Sequence, residues 1–184
     1  MPGVRLKNFT ERKLRSRTVY HGRLLRVLED RVRLADGRIA RREYVRHPGA
    51  VMIVPFLDAR TVVLVRQYRY PLSRHFYEIP AGKIDPGEAP RQTARRELRE
   101  ECGYAAGKWR HLTTIHPCIG YSDERIELYL ARNLVAVGHA PDDGELLEVV
   151  PVKMDAALRW VREGRITDQK TVIGLLWADK FRDR

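Results

Sequence analysis

The chain has 184 residues, enough for one domain with a small appendage and for a core that needs no covalent staples. Its hydrophobic fraction of 43% is ordinary for a globular protein, and no window approaches the roughly 18 uninterrupted apolar residues of a membrane span. The net charge of +11 is unevenly placed: residues 1–50 carry fourteen Lys/Arg against five Asp/Glu. Such a bias attracts nucleic acid and phosphorylated metabolites alike, so charge does not choose between them.

The opening stretch, MPGVRLKNFTERKLRSRTVY, is basic but lacks the apolar core of a secretory signal, which points to a mature chain in the cytoplasm. Cys102 and Cys118 are too few for a disulfide framework and lack zinc-ligand spacing, so both are expected to be structural. Residues 1–45 read as a small β-rich segment, with β-branched residues around the turn dipeptide Asp36-Gly37. The next stretch, AVMIVPFLDARTVVLVRQYRY, holds two continuous apolar runs, expected as strands of one central sheet covered on both faces.

From Glu88 to Cys102 the sequence predicts a helix, with Pro90 in its first turn and Gly103 as its stop. WRHLTTIHP and RIELYLARNLV follow as strands, separated by a turn at Cys118–Asp123. The tail predicts two helices, Met154–Glu163 and Thr171–Phe181. This mixture predicts an α/β fold: a mixed β-sheet sandwiched between helices over residues 46–184, preceded by an antiparallel β element over 1–45.

The chemistry concentrates in one segment. On a helix, Glu97 stands at i to Glu100 at i+3 and Glu101 at i+4, so three carboxylates share a face. Their mutual repulsion is relieved if a cation sits among them, and all-oxygen ligands select a hard ion such as Mg²⁺, with Mn²⁺ as a substitute. Before the helix, Gly82 is expected to open one turn and Pro86-Gly87 to form another.

The stretch Gly82–Tyr104 resembles the Nudix box at Gly82, Glu88, Arg96, Glu97, Leu98, Glu100, Glu101 and Gly103; Tyr104 departs from the aliphatic end of the pattern. The resemblance extends to Arg46-His-Pro-Gly-Ala-Val51, Leu64–Pro71 and Glu78–Lys83, where the chain looks like the ADP-ribose pyrophosphatase branch. It implies a Nudix α/β/α sandwich. It also implies metal ligation by Glu97, Glu101 and Glu100 with the Ala81 carbonyl, a loop braced by Arg96 with Glu88, and substrate phosphates on Arg46 and Arg69. Arg66 is expected to be solvated.

In the loop Pro141–Glu148, Glu145 is the first candidate for the base that activates water, with Glu148 second. His47, His75 and His116 lie near the right segments, but the sequence names no partner for them. In this branch the N-terminal segment often exchanges between subunits and helps to hold the base, which implies a homodimer. ADP-ribose cleavers usually carry a proline where this chain has Ile119, and Pro117 stands two positions early, so other ADP-sugars, GDP-mannose and dinucleotides stay open.

The expected activity is Mg²⁺-dependent hydrolysis of the diphosphate in ADP-ribose or a related nucleoside-diphosphate sugar. The alternatives are cleavage of another nucleotide, such as a damaged nucleoside triphosphate or an RNA cap, and a non-catalytic nucleotide- or RNA-binding module. The intact box argues against the module, and nucleic acid is the less favoured partner.

Overall fold

The computed structural model describes residues 7–138 and 146–181, which fall into two compact units. The first comprises residues up to His47 together with Cys118–Glu124, and the second holds the rest.

In the first unit, β1 (Arg12–His21), β2 (Arg26–Arg33) and β3 (Ile39–Arg46) form an antiparallel sheet in that order. The turn at Asp36-Gly37 joins β2 to β3, where Leu34 N–H donates to Arg38 O at 2.9 Å. Leu28 and Val32 of β2 are buried, whereas β1 is exposed along its whole length. Residues 118–124 are tied to β3 by Val45 N–H donating to Tyr121 O at 2.8 Å and Asp123 N–H to Val45 O at 3.2 Å.

The second unit contains two sheets. β7 (Ala81–Lys83), β4 (Ala50–Pro55), β9 (Ile126–Ala136) and β8 (Tyr104–Ile115) form a mixed sheet in that order, with β4 parallel to β9 and the other pairs antiparallel. β10 (Leu147–Lys153), β5 (Thr61–Arg69) and β6 (Arg74–Glu78) form an antiparallel sheet. The two apolar runs expected in one sheet therefore divide, β4 into the first and β5 into the second, across the turn that Asp58 closes by accepting from Arg60 N–H at 2.7 Å.

Strand periodicity explains why both runs are continuously apolar. Met52, Val54, Val62, Leu64, Leu128 and Leu130 belong to one core cluster with α2 (Met154–Arg162) and α3 (Gln169–Phe181). Val51, Ile53, Val63, Val65, Tyr129 and Ala131 belong to another with Ala94 and Leu98 of α1 (Pro90–Cys102). Alternate residues thus face opposite helix layers, giving the α/β/α sandwich.

α1 begins where Pro90 can sit without an amide donor and Ala89 N–H donates to the Gln92 side chain at 3.0 Å. It ends at Gly103, whose φ of 73° is the left-handed cap conformation. β8 starts at Tyr104, immediately after that cap and well before the expected Trp109; its first half is partly exposed and carries no apolar run that would mark it in the sequence. α3 starts at Gln169, two residues earlier than its apolar pattern, because Asp168 accepts from Thr171 N–H at 3.0 Å. No helix among the described residues is long and apolar enough to cross a membrane.

Candidate active site

The site is built where β7 runs beside the buried face of α1. Glu97 and Glu101 are 8% and 5% exposed, on the stripe that also carries Leu98. Gly82 does not open a turn as the sequence suggested; it lies inside β7, and its lack of a side chain makes room for Glu97. A Cβ at Gly82 would stand 1.8 Å from Glu97 Oε1, a distance no atom pair tolerates. Pro86-Gly87 does form the expected turn between β7 and α1.

The three carboxylates divide their contacts. Arg96 reaches between Glu97 Oε1 and Glu100 Oε2, with one guanidinium nitrogen donating to both at 2.8 Å. Glu101 Oε2 accepts from Ala81 N–H at 3.0 Å. The guanidinium thus stands between two of the carboxylates.

Arg96 also donates to Glu88 at 3.2 and 3.3 Å and to the Lys83 carbonyl at 3.2 Å. It therefore braces the β7–α1 loop as expected. Burial opposes its charge, but the bonds to Glu88, Glu100 and Glu97 outweigh that and hold the guanidinium above its ordinary pKa. Glu88 in turn is held below the usual carboxylate value, first by its bond from Arg96, and it also accepts from Thr93 Oγ1 at 2.8 Å.

The donor set fits a hard divalent ion. Glu97 and Glu101 are buried one helical turn apart, both are oxygen ligands, and the side-chain-free backbone at Gly82 gives the Glu97 carboxylate room that a Cβ would take. Glu100 is more exposed and rims the same helix face.

Arg69, expected to meet phosphate, makes a two-pronged pair with Glu78, donating to both carboxylate oxygens at 2.7 Å. It lines a cavity of about 570 Å³ together with Arg74, Phe76, Glu78, Asp168 and Lys170. Glu78, only 2% exposed, also accepts from Lys170. Burial works to raise the Glu78 pKa, yet the bond from Arg69 and the charge and bond of Lys170 bring it below the ordinary value. Arg46 belongs to the first unit, where it pairs with Asp123 at 2.7 Å and remains half exposed.

Glu145 lies outside the described residues. Glu148 sits on β10 opposite Arg66, and the two form an exposed ion pair at 3.4 Å, so Arg66 is paired and not simply solvated. His47 stands 3.8 Å from Glu124, and His111 lies 2.8 Å from Glu127 across the β8–β9 register, partners that sequence spacing does not supply. Cys102 is buried among apolar neighbours, which pushes its thiol pKa well up and suits a structural role.

Sequence reasoning passed over Glu78, Asp168 and Lys170. Asp168 preceding the apolar pattern of α3 is a helix-start signal, but nothing in the sequence links that start to Glu78 ninety residues earlier.

An all-oxygen carboxylate centre on a strand–loop–helix, inside an α/β/α sandwich and flanked by arginines, defines a hydrolase-type site for phosphorylated compounds. The NUDIX domain model matches residues 46–172, and the model for the nucleoside diphosphate sugar hydrolase N-terminal domain matches residues 11–45, so the chain belongs to the Nudix family.

Among its relatives, a methanol dehydrogenase activator from Bacillus methanolicus is 39% identical over 92% of each chain. An ADP-ribose pyrophosphatase from Bacillus subtilis is 34% identical over 92% of this chain and 93% of the relative. Another, from Mycobacterium tuberculosis, is 37% identical over 88% and 79%. The crystal structure of an ADP compounds hydrolase superposes with a TM-score of 0.86 over 96% of both chains at 24% identity, which supports the fold.

Proposed function

We propose that the protein hydrolyses the diphosphate of ADP-ribose or a related nucleoside-diphosphate sugar, releasing a nucleoside monophosphate and a sugar phosphate. The observation that carries this reading is the buried pair on α1 beside β7, with Glu97 in the gap left by Gly82 and Glu101 held by Ala81 N–H. Relatives named ADP-ribose pyrophosphatase, each aligned over most of this chain, support the substrate class.

Glu97 and Glu101, with Glu100 and the Ala81 carbonyl, would hold Mg²⁺ or Mn²⁺. Such an ion, when bound, lowers the pKa of water and offsets charge on the bridging oxygens. The remaining tasks fall to side chains. Arg96 fixes the orientation of Glu97 and Glu100. Arg69 turns its guanidinium toward the phosphates, supported from behind by Glu78. Arg46 contributes a second cation, and Glu145 takes the proton of the attacking water. The enzyme acts in the cytoplasm as a homodimer.

The test is a panel of ADP-ribose, other ADP-sugars, GDP-mannose and dinucleotides, with products identified by chromatography. Release of AMP and ribose 5-phosphate from ADP-ribose is the expected result. Hydrolysis of none of these compounds overturns the proposal. The relative named methanol dehydrogenase activator favours a second reading, activation of a dehydrogenase; a rise in methanol dehydrogenase rate on adding the protein would support it.

A further inference from the structure

We infer that Lys170, at the start of α3, is a positioning residue that acts through Glu78 to set the direction of Arg69 and the balance of charge around it. The inference rests on the reading of Arg69 as a phosphate-facing group.

Three observations carry it. The first is charge. Glu78 is 2% exposed and is shared between two cations, Arg69 at 2.7 Å on both oxygens and Lys170 on Oε2. A buried carboxylate with Arg69 as its sole cation would cancel that guanidinium, leaving a neutral pair with little attraction for phosphate. With Lys170 present, two cations stand against the two carboxylates Glu78 and Asp168; without it both carboxylates would face Arg69 alone and cancel its pull on phosphate in the cavity they line.

The second observation is geometry. Lys170 is itself anchored, 2.9 Å from Asp168 Oδ2, and that same oxygen accepts from Thr171 N–H at 3.0 Å and Thr171 Oγ1 at 2.6 Å. The ammonium therefore sits on the first turn of a helix that its neighbour starts, and it is not a long side chain waving in solvent.

The third is the tie to the strand. Thr171 Oγ1 accepts from Ile79 N–H at 2.9 Å, and Thr171 is fully buried. The start of α3 thus grips residues 78 and 79 from both the side-chain and the backbone direction. Two residues further on is Ala81, the first residue of β7.

The consequence is energetic coupling between Lys170 and Arg69, although no direct bond joins them. The experiment is a double-mutant cycle on the full-length protein, using Lys170→Met, Arg69→Ala and the pair. Two quantities are read: kcat and KM for ADP-ribose, and calorimetric binding of α,β-methylene-ADP, a diphosphate that cannot be cleaved at that position. Lys170→Met should weaken analogue binding and raise KM about tenfold, with kcat within about threefold of the parent. Lys170→Arg should restore most of the loss. In the Arg69→Ala background, Lys170→Met should add less than about twofold.

Additive losses overturn the inference, because they would mean that Lys170 acts independently of Arg69. Normal analogue binding by Lys170→Met, alongside weak binding by Arg69→Ala, overturns it while leaving the phosphate role of Arg69 standing. If the parent binds no analogue and Arg69→Ala changes nothing, the reading of Arg69 falls and the inference falls with it. Thermal unfolding of each variant identifies a loss that comes from misfolding, and failure of Lys170→Arg to rescue a folded protein also counts against the proposal.

Discussion

Gly82 and Glu97 occupy one space: the volume a side chain would take at the glycine is filled by the glutamate's carboxylate, 1.8 Å from the position of an ideal Cβ. Gly82→Ala should therefore displace Glu97 without removing it. Overpacking of this kind costs about 1–3 kcal/mol of stability. We expect the Mg²⁺ concentration for half-maximal activity to rise more than tenfold, while the variant still folds. A metal titration with a parallel thermal melt checks this, and a superimposable titration curve would mean that the room at Gly82 plays no part in holding the ion.

Activity should require added divalent metal, Mg²⁺ or Mn²⁺, and should vanish in EDTA, because carboxylates and arginines alone do not polarise a bound water. Glu97→Gln and Glu101→Gln should each lose most metal affinity. Their loss should be partly relieved at high Mg²⁺. Undiminished hydrolysis in EDTA after extensive dialysis would overturn the metal assignment.

Stability should carry an acid signature from the β4–β5 turn. Asp58 accepts from Thr61 Oγ1 at 2.7 Å, Arg60 N–H at 2.7 Å and Thr61 N–H at 2.8 Å, and its pKa is lowered from 3.8 to about 2. A depressed carboxylate adds stability above its unfolded pKa and loses it as pH falls through the folded one, so the contribution disappears between about pH 4 and pH 2. Asp58→Asn should be less stable than the parent at neutral pH, and the gap should close on acidification. Urea midpoints at about pH 6 and about pH 2.5 measure the gap; a difference independent of pH would contradict the assignment.

The protein should be a dimer in solution. In the first unit β1 is exposed throughout; Leu14, Val19, Tyr20 and Ile39 on its three-stranded sheet, and Leu24 and Leu25 in the β1–β2 connection, are exposed apolar residues. A sheet this small is marginal by itself, and the apolar exposure suits contact with a second copy. Light scattering at micromolar concentration should give twice the chain mass, and deletion of residues 1–45 should abolish activity. A fully active monomer would remove the dimer from the proposal.

What the sequence made legible followed local periodicity. The apolar runs at Ala50–Pro55 and Thr61–Arg69 announced covered strands, and the carboxylate spacing on α1 marked the chemical segment. β6 and β7 were not legible because they are short and carry no unbroken apolar run, and β10 because it is mostly only partly buried and Pro151 interrupts its pattern. Gly82 read as a turn because glycine often marks one, whereas here a helix side chain from fifteen positions away requires the gap. The Glu78–Lys170 contact was illegible for the same reason. Its partners meet through tertiary packing of α3 on β6, and pairing over ninety residues leaves no trace in spacing.

Glu145 and Glu148 remain the two acidic candidates for water activation, and their surroundings separate what each should do. Glu148 is already engaged: it lies on β10 opposite Arg66, paired at 3.4 Å, with its side chain mostly exposed. An exposed pair of this kind contributes little to stability, and it turns the Glu148 carboxylate toward Arg66. Glu148→Gln should therefore stay within about threefold of the parent in kcat and KM. Glu145→Gln removes a charge while leaving Glu97, Glu100 and Glu101 in place, so metal and substrate should still bind while proton transfer fails. General bases contribute about 10²–10⁴-fold, so kcat should fall by that range with KM little changed. Raising Mg²⁺ should not rescue it, in contrast to Glu97→Gln. Steady-state kinetics of the three variants across a metal titration decide the matter. Collapse of Glu148→Gln with a near-normal Glu145→Gln would move the base to β10. Near-normal kinetics in both would leave water activation to the box carboxylates and their metal.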